Sequence, residues 1–292
     1  MCRGMTLLLL AAGAYGSLAV LIKAAVLAGV NAETALALRF TIAPPIWWAV
    51  ILTRRSPLRI PWRPAFLAAA IGMLLYAPNA FIYYQGTARV PGAIAAMVVA
   101  LVPVMVAVLS RLLLQERLGT LGRVALVLVV IGGVLLAGGS RGRVDPFGVL
   151  LLLVAVGLYS LYIVVSVRAT RVLSPLVATA CVTTGAGVLS LLWSGLSGRL
   201  DLGFAPAGWA AVAGLILLPT LLGMFAFLAG AEVVGAARAA IVTALEPLAG
   251  VLLAVLFLGD RLSALQFTGG GLLILAALLV QEERRRLERR DA

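Results

Sequence analysis

Apolar runs of about twenty residues recur along the whole chain, separated by short clusters rich in Arg, Gly and Pro. About twenty helical residues cross the hydrocarbon core of a bilayer. Inside lipid a helix satisfies its own backbone, whereas an irregular segment does not. The pattern predicts ten helices, over 5–28, 33–52, 65–86, 91–114, 122–139, 146–167, 174–195, 207–230, 236–258 and 263–281. Pro64, Pro91, Pro146, Pro175 and Pro206 fall at or just before predicted helix openings, where a missing N–H is harmless. Pro44-Pro45, Pro78, Pro103, Pro219 and Pro247 lie inside spans and predict kinks. A backbone break at membrane depth needs protein or water beside it. The helices around 78, 103, 219 and 247 are therefore candidates for an inner ring around a cavity; a kink that serves only packing is the alternative at each.

Composition narrows the class. Hydrophobic residues make up 63% of the chain and charged ones 12%, against about 25% charged in soluble domains. The chain reads as all-α, a polytopic membrane protein. Its net charge of +12 does not point to nucleic acid, because all but one of the 23 basic residues are Arg and most sit between or beyond apolar runs. With the N-terminus inside, Arg3, Arg54, Arg55, Arg59, Arg63, Arg111, Arg117, Arg123, Arg168, Arg171, Arg238 and the C-terminal Arg cluster from Arg284 to Arg290 lie on the cytoplasmic side. Only Arg89, Arg141, Arg143, Arg199 and Arg261 lie opposite. This bias predicts a multi-pass plasma-membrane protein with both termini cytoplasmic. The sequence has no His, and Cys2 and Cys181 are far apart, so no metal site, cofactor or catalytic centre is expected. Met5 to Leu27 reads as a retained first helix rather than a cleaved signal.

The chain also repeats itself. Adding 144 carries Phe81 onto Phe225, Gly86 onto Gly230, Pro103 onto Pro247, Arg117-Leu118 onto Arg261-Leu262, Gly13 onto Gly157 and Tyr15 onto Tyr159. The unit boundary falls in Gly138-Gly139-Ser140-Arg141-Gly142-Arg143. The expected units are 5–139 and 146–281, each of five helices, followed by a basic tail at 282–292. An odd number of crossings turns the second unit upside down, so the repeats are inverted, an arrangement suited to exposing one site to either side in turn.

The residues that repeat resemble a known family. Asn79-Ala80-Phe81, Gly86-Thr87, Leu101-Val102-Pro103 and Glu116-Arg117-Leu118 look like the EamA repeat of the drug/metabolite transporter superfamily. The second copy, with Leu245-Glu246-Pro247, Leu258-Gly259-Asp260-Arg261-Leu262 and Gln266-Phe267-Thr268-Gly269, is more similar still. Ala14-Tyr15-Gly16-Ser17 resembles the family's opening helix, although Tyr15 stands where Trp is commoner, and Leu38-Arg39-Phe40 resembles its second helix. Asp260 departs from the usual Glu. The resemblance implies a ten-helix secondary transporter of small metabolites and, among bacterial members, often an exporter.

Several residues are candidates for chemistry. Glu246 lies mid-span, where a carboxylate costs about 2.5–3.5 kcal/mol to insert. It has three possible uses: binding a substrate amine, carrying a coupling proton, or serving structurally beside Pro247. Lys23 and Arg39 are the other charges at depth; they either snorkel and pair or grip a substrate anion. Tyr76, Asn79 and Tyr83 share a face of the third helix, and Tyr159 and Tyr162 a face of the sixth. With Tyr15 and Thr243 these are cavity candidates. Trp47, Trp48, Trp62, Trp193 and Trp209 fit an interfacial aromatic belt better. Glu116-Arg117 and Asp260-Arg261 close the fourth and ninth helices as loop anchors or paired gates. Gly132-Gly133, Gly185, Gly187 and Gly269-Gly270-Gly271 read as close-packing sites, not phosphate loops.

Taken together, the residues point to a secondary transporter of small metabolites, first amino acids or amine-bearing compounds, working by alternating access. A passive channel or a membrane-embedded enzyme is the alternative. Its partners are a small molecule and the lipid bilayer, with proton coupling through Glu246 and a monomer or a homodimer left open.

Overall fold

The computed structural model describes residues 2–53, 60–87, 89–90, 95, 98–136, 145–170, 172–258 and 263–291. Among them the helices are α1 Cys2–Leu27, α2 Ala32–Leu52, α3 Trp62–Thr87, α4 Val102–Leu113, α5 Thr120–Leu136, α6 Pro146–Thr170, α7 Pro175–Leu196, α8 Pro206–Val234, α9 Ala236–Thr243, α10 Glu246–Leu258 and α11 Ala264–Asp291. Seven of these are long and apolar enough to cross a bilayer alone. The fourth, fifth and ninth crossings use shorter pieces, and α9 with α10 makes one crossing. The result is an all-α membrane protein of ten transmembrane helices in two inverted five-helix repeats.

The pairings of the helices obey the repeat. α2 packs on α7, its own copy, and α5 on α11, its own copy. α1 packs on α8 and α10, and the equivalent α6 packs on α3 and α4. A pseudo-twofold axis therefore runs between α2 and α7 and between α5 and α11, so that like surfaces meet like.

Small residues allow the close approaches. A Cβ on Gly72 would overlap the Val182 carbonyl, one on Gly185 the Ala69 carbonyl, and one on Gly187 the Phe40 carbonyl. Thus α7 touches α2 and α3 backbone to backbone, as small-residue interfaces in lipid permit. Gly132 and Gly269 face each other between α5 and α11 in the same way.

The internal prolines act in three ways. Pro44 and Pro45 stay within an unbroken α2. Pro103 and Pro247 do not bend continuous helices. They sit in the first turn of new ones, after turns at Ala100–Leu101 and Ala244–Leu245. The two breaks match bond for bond. Leu101 N–H donates to Val98 O at 3.1 Å and Leu245 N–H to Val242 O at 3.2 Å, residues 144 apart. Near Pro78 and Pro219 the helix widens into π turns, Gly72–Tyr76 in α3 and Ile216–Gly223 in α8. Both π turns begin at equivalent positions. A proline removes a donor and crowds the carbonyl four residues back, which favours such widening.

Two expectations need correction. Trp62, Trp193 and Trp209 are exposed and suit a belt, but Trp47 is buried against Phe225, and Trp48 Nε1 donates to Thr184 Oγ1 at 3.0 Å. Those two anchor helices instead. The last helix does not end at 281. It continues to Asp291 and buries Glu283. The apolar run stops there, but one carboxylate on the inner face finds partners that pull the helix onward.

Candidate functional site

The two π turns converge on Arg39 of α2. Arg39 Nε donates to Thr220 Oγ1, and Nη2 lies 3.4 Å from the Tyr76 hydroxyl. Tyr76 plus 144 is Thr220, so one guanidinium is held by the same position of both repeats. Thr220 also donates to the Leu215 carbonyl at 2.8 Å, five residues back, as a π turn allows. Arg39 is 7% exposed, and its CZ lies 4.9 Å from the Phe40 ring centroid. Its own repeat mate is Thr183, buried and bonded to its own helix through Thr179 O and Ala180 O.

Aromatic rings extend from this point. Phe40 meets Tyr76 edge-on at 5.3 Å, Tyr76 meets Tyr162 at 4.7 Å, and Tyr162 stacks on Tyr159 at 5.7 Å. Tyr15 and Tyr76 are 7% exposed and Tyr162 is 1% exposed, whereas Tyr83 and Tyr159 are partly open. The Tyr162 hydroxyl has Ser166 nearby but makes no well-formed hydrogen bond. Glu246 is the first residue of α10, in the middle of a crossing, where the free N–H groups of a helix start favour a carboxylate. Protein encloses it, yet its side chain is partly open. It lies within electrostatic reach of Arg39 and of the Tyr15, Tyr76, Tyr83 and Tyr159 hydroxyls. Among the described residues it makes no hydrogen bond and no ion pair.

The remaining expected residues divide. Asn79 donates to the Ala155 carbonyl at 2.7 Å and so ties α3 to α6. Its mate Gly223 leaves room for Tyr15, whose Cε1 would stand 2.8 Å from a Cβ there. The Thr243 hydroxyl donates to Ala239 O and Ala240 O of its own helix. Pro103 and Pro247 set the helix starts described above. Glu116 accepts from the Ala237 N–H at 3.4 Å, across the repeats, whereas Arg117 is exposed. The Lys23 side chain, Asp260 and Arg261 lie outside the described residues.

Sequence reasoning missed two groups. The Arg238 guanidinium and the Gly122 N–H both donate to Glu283, at 3.2 and 2.6 Å. This joins α5, α9 and α11 beside the Glu116 contact. At the opposite end of the bundle, Arg199 pairs with Glu33 at 2.9 Å, and Asn31 Nδ2 donates to Arg199 O. Beside these two groups, a small pocket of about 30 Å³ lies near Arg39, and its lining includes Tyr84 and Asn31. Tyr84 lies next to the expected Tyr83, so only its angle around the helix separates the two.

Among the described residues no group of His, Cys, Asp and Glu has the makings of a metal site. Comparison with known proteins agrees with the helix pairings. "Uncharacterized transporter YcbK" of Bacillus subtilis (strain 168) is 22% identical, over 92% of this chain and 89% of that one. "Uncharacterized inner membrane transporter YedA" of Escherichia coli (strain K12) is 29% identical, over 80% and 76%. A protein of known crystal structure shares the fold with a TM-score of 0.82 at 22% identity, over 95% of this chain and 98% of that one. The model of the EamA-like transporter family matches twice, over residues 3–138 and 146–281, and with both halves so accounted for the chain belongs to the EamA-like transporter family.

Proposed function

We propose that this transporter is a secondary carrier that moves small amine-bearing metabolites, amino acids first among them, outward by alternating access. One observation carries the reading. Glu246 sits mid-membrane within electrostatic reach of Arg39 and four tyrosine hydroxyls, and among the described residues it makes no hydrogen bond or ion pair. A carboxylate held away from water needs a cation or a proton beside it. A substrate ammonium or a coupling proton supplies either, and the neighbouring tyrosine hydroxyls orient the guest. The units 5–139 and 146–281 act as the two moving bodies, with Arg39 of one and Glu246 of the other at the site. The Arg distribution supports a reading with both termini, and the Glu116 and Glu283 contacts, on the cytoplasmic side of the plasma membrane.

Purified protein in liposomes, loaded with unlabelled amino acids, should take up a labelled one against its gradient, and the rate should saturate. A channel gives neither. Glu246→Gln should abolish that counterflow or remove its pH dependence. Full transport with an unchanged pH profile in that variant sinks the role given to Glu246.

A further inference from the structure

We propose that α9 is a cytoplasmic gate beneath Glu246, and that the buried carboxylate of Glu283, helped by Glu116, is the latch that holds it shut. The proposal rests on the carrier reading above in one respect: a carrier's site must open to the cytoplasm in one of its states. α9 is a rod of eight residues between two joints. At one end α8 stops at Val234, and Gly235 turns the chain with φ 91° and ψ 153°. Glycine adopts that conformation without steric cost. At the other end the Ala244–Leu245 turn separates α9 from α10, whose first residue is Glu246. A few residues at the ends of an element are enough to absorb the rotation of a hinge. The rod therefore swings as a unit, and its far end leads straight to Glu246.

The latch grips the rod at its first turn. Glu283 comes from the extension of α11 and is 6% exposed. Its Oε1 accepts from Nε and Nη2 of Arg238 at 3.2 Å, and its Oε2 accepts from the Gly122 N–H at 2.6 Å. One carboxylate thus ties α9 to α5. Two glycines make room for it: a Cβ on Gly119 would stand 2.6 Å from Oε2, and one on Gly122 2.9 Å from Oε1. One residue before Arg238, the Ala237 N–H donates to Glu116, whose carboxylate also lies against the Gly235 joint. Charge-assisted bonds of this kind, kept from water, are the strong ones. The opposite end of the bundle is closed differently. The Arg199 side chain there is 66% exposed, so water competes for its bond to Glu33. By the count of 144, Arg238 answers to Ile94 and Glu283 to Gly139, so the latch has no twin. The cytoplasmic closure is the firmer of the two, and its release sets how often the site faces inward.

The test follows a thiol on the rod. Ala240→Cys replaces a buried side chain in the middle of α9. With Cys2 and Cys181 replaced, inside-out vesicles are treated with a membrane-impermeant methanethiosulfonate reagent. Labelling should be slow in this background and at least about tenfold faster with Glu283→Gln, the scale of a lost charged hydrogen bond. Arg238→Gln should speed it severalfold, and the double variant no more than Glu283→Gln alone, because both break one latch. Glu33→Gln, which breaks the outer pair, should not speed it. Native Cys181, buried in α7, reports general loosening. In a protein carrying that thiol alone, Glu283→Gln should leave labelling unchanged. Should Glu283→Gln fail to fold, Arg238→Gln carries the test by itself. Labelling of residue 240 unmoved by these changes, or a gain at Cys181 as large as that at residue 240, overturns the gate. The two readings fail separately, since labelling needs no substrate. Amine counterflow with labelling unmoved keeps the Glu246 role and removes the gate. Faster labelling without amine counterflow does the reverse.

Discussion

The two repeats agree in their frame and disagree in their polar residues. The helix breaks before Pro103 and Pro247 carry the same hydrogen bonds, and the π turns of α3 and α8 start at the same place. Yet Glu246 answers to Val102, Arg39 to Thr183, and Asn79 to Gly223. On the carrier reading proposed above, two bodies rock against each other and their joints must match. A site on the axis between them has one occupant at a time and gains nothing from a second Arg or a second Glu. Two such charges would also repel across a dry interior. The difference teaches that symmetry here belongs to the frame and asymmetry to the polar residues within it.

That division can be broken at the frame first. Gly72→Ala or Gly185→Ala drives a methyl into a facing carbonyl, so loss of about 3 kcal/mol or more, or no stable protein, is expected by thermal melting in detergent. Gly157→Ala has open space around its Cβ and should melt like the parent. The next largest effect separates a polar residue from its mate. Glu246→Gln should lower counterflow at least about tenfold, the scale of a lost charged hydrogen bond, whereas Val102→Ala should leave saturable transport in place. A sharper cut compares the two grips on Arg39. Tyr76→Phe and Thr220→Ala should each weaken transport about fivefold, and the double variant by less than the product, since both act on one guanidinium. Transport rates equal to the parent in both single variants would show that Arg39 needs neither.

The smallest effect lies in the last helix, where two neighbouring carboxylates differ. Glu283→Ala leaves Arg238 and the start of α5 without a partner, at about 2 kcal/mol in melting experiments. Glu282 pairs with Arg286 in an exposed helix-face contact, so Arg286→Ala should change stability by about 0.5 kcal/mol at most.

Much of the frame was legible because it is written in long apolar runs and in residues that recur at 144. The prolines inside spans pointed to Pro78 and Pro219, where the π turns lie, and to the two helix breaks. What the pattern could not show was how a proline would be accommodated. Bending, restarting and widening all begin from the same lost N–H. The Arg39 grip was hidden for a related reason, since Thr220 reads as one more small residue in an apolar span until α8 widens and aims it. Glu283 escaped because hydropathy ends a helix where apolar residues end. The helix itself ends only when its backbone has no further reason to continue. Glu246 and the tyrosines stood out as polar residues at depth, but their nearness to one another required knowing which helices pack together.

The widened turns also act as a phase lock between the two halves. From Gly13 to Leu121 the first repeat maps onto the second without a residue gained or lost, and both π turns open at the same count. An extra residue in one half alone would have shifted everything downstream by about 100° of helix rotation. Widening at one count in both halves keeps them in rotational register, so that position 76 of one and 220 of the other both arrive at Arg39, one as a tyrosine and one as a threonine.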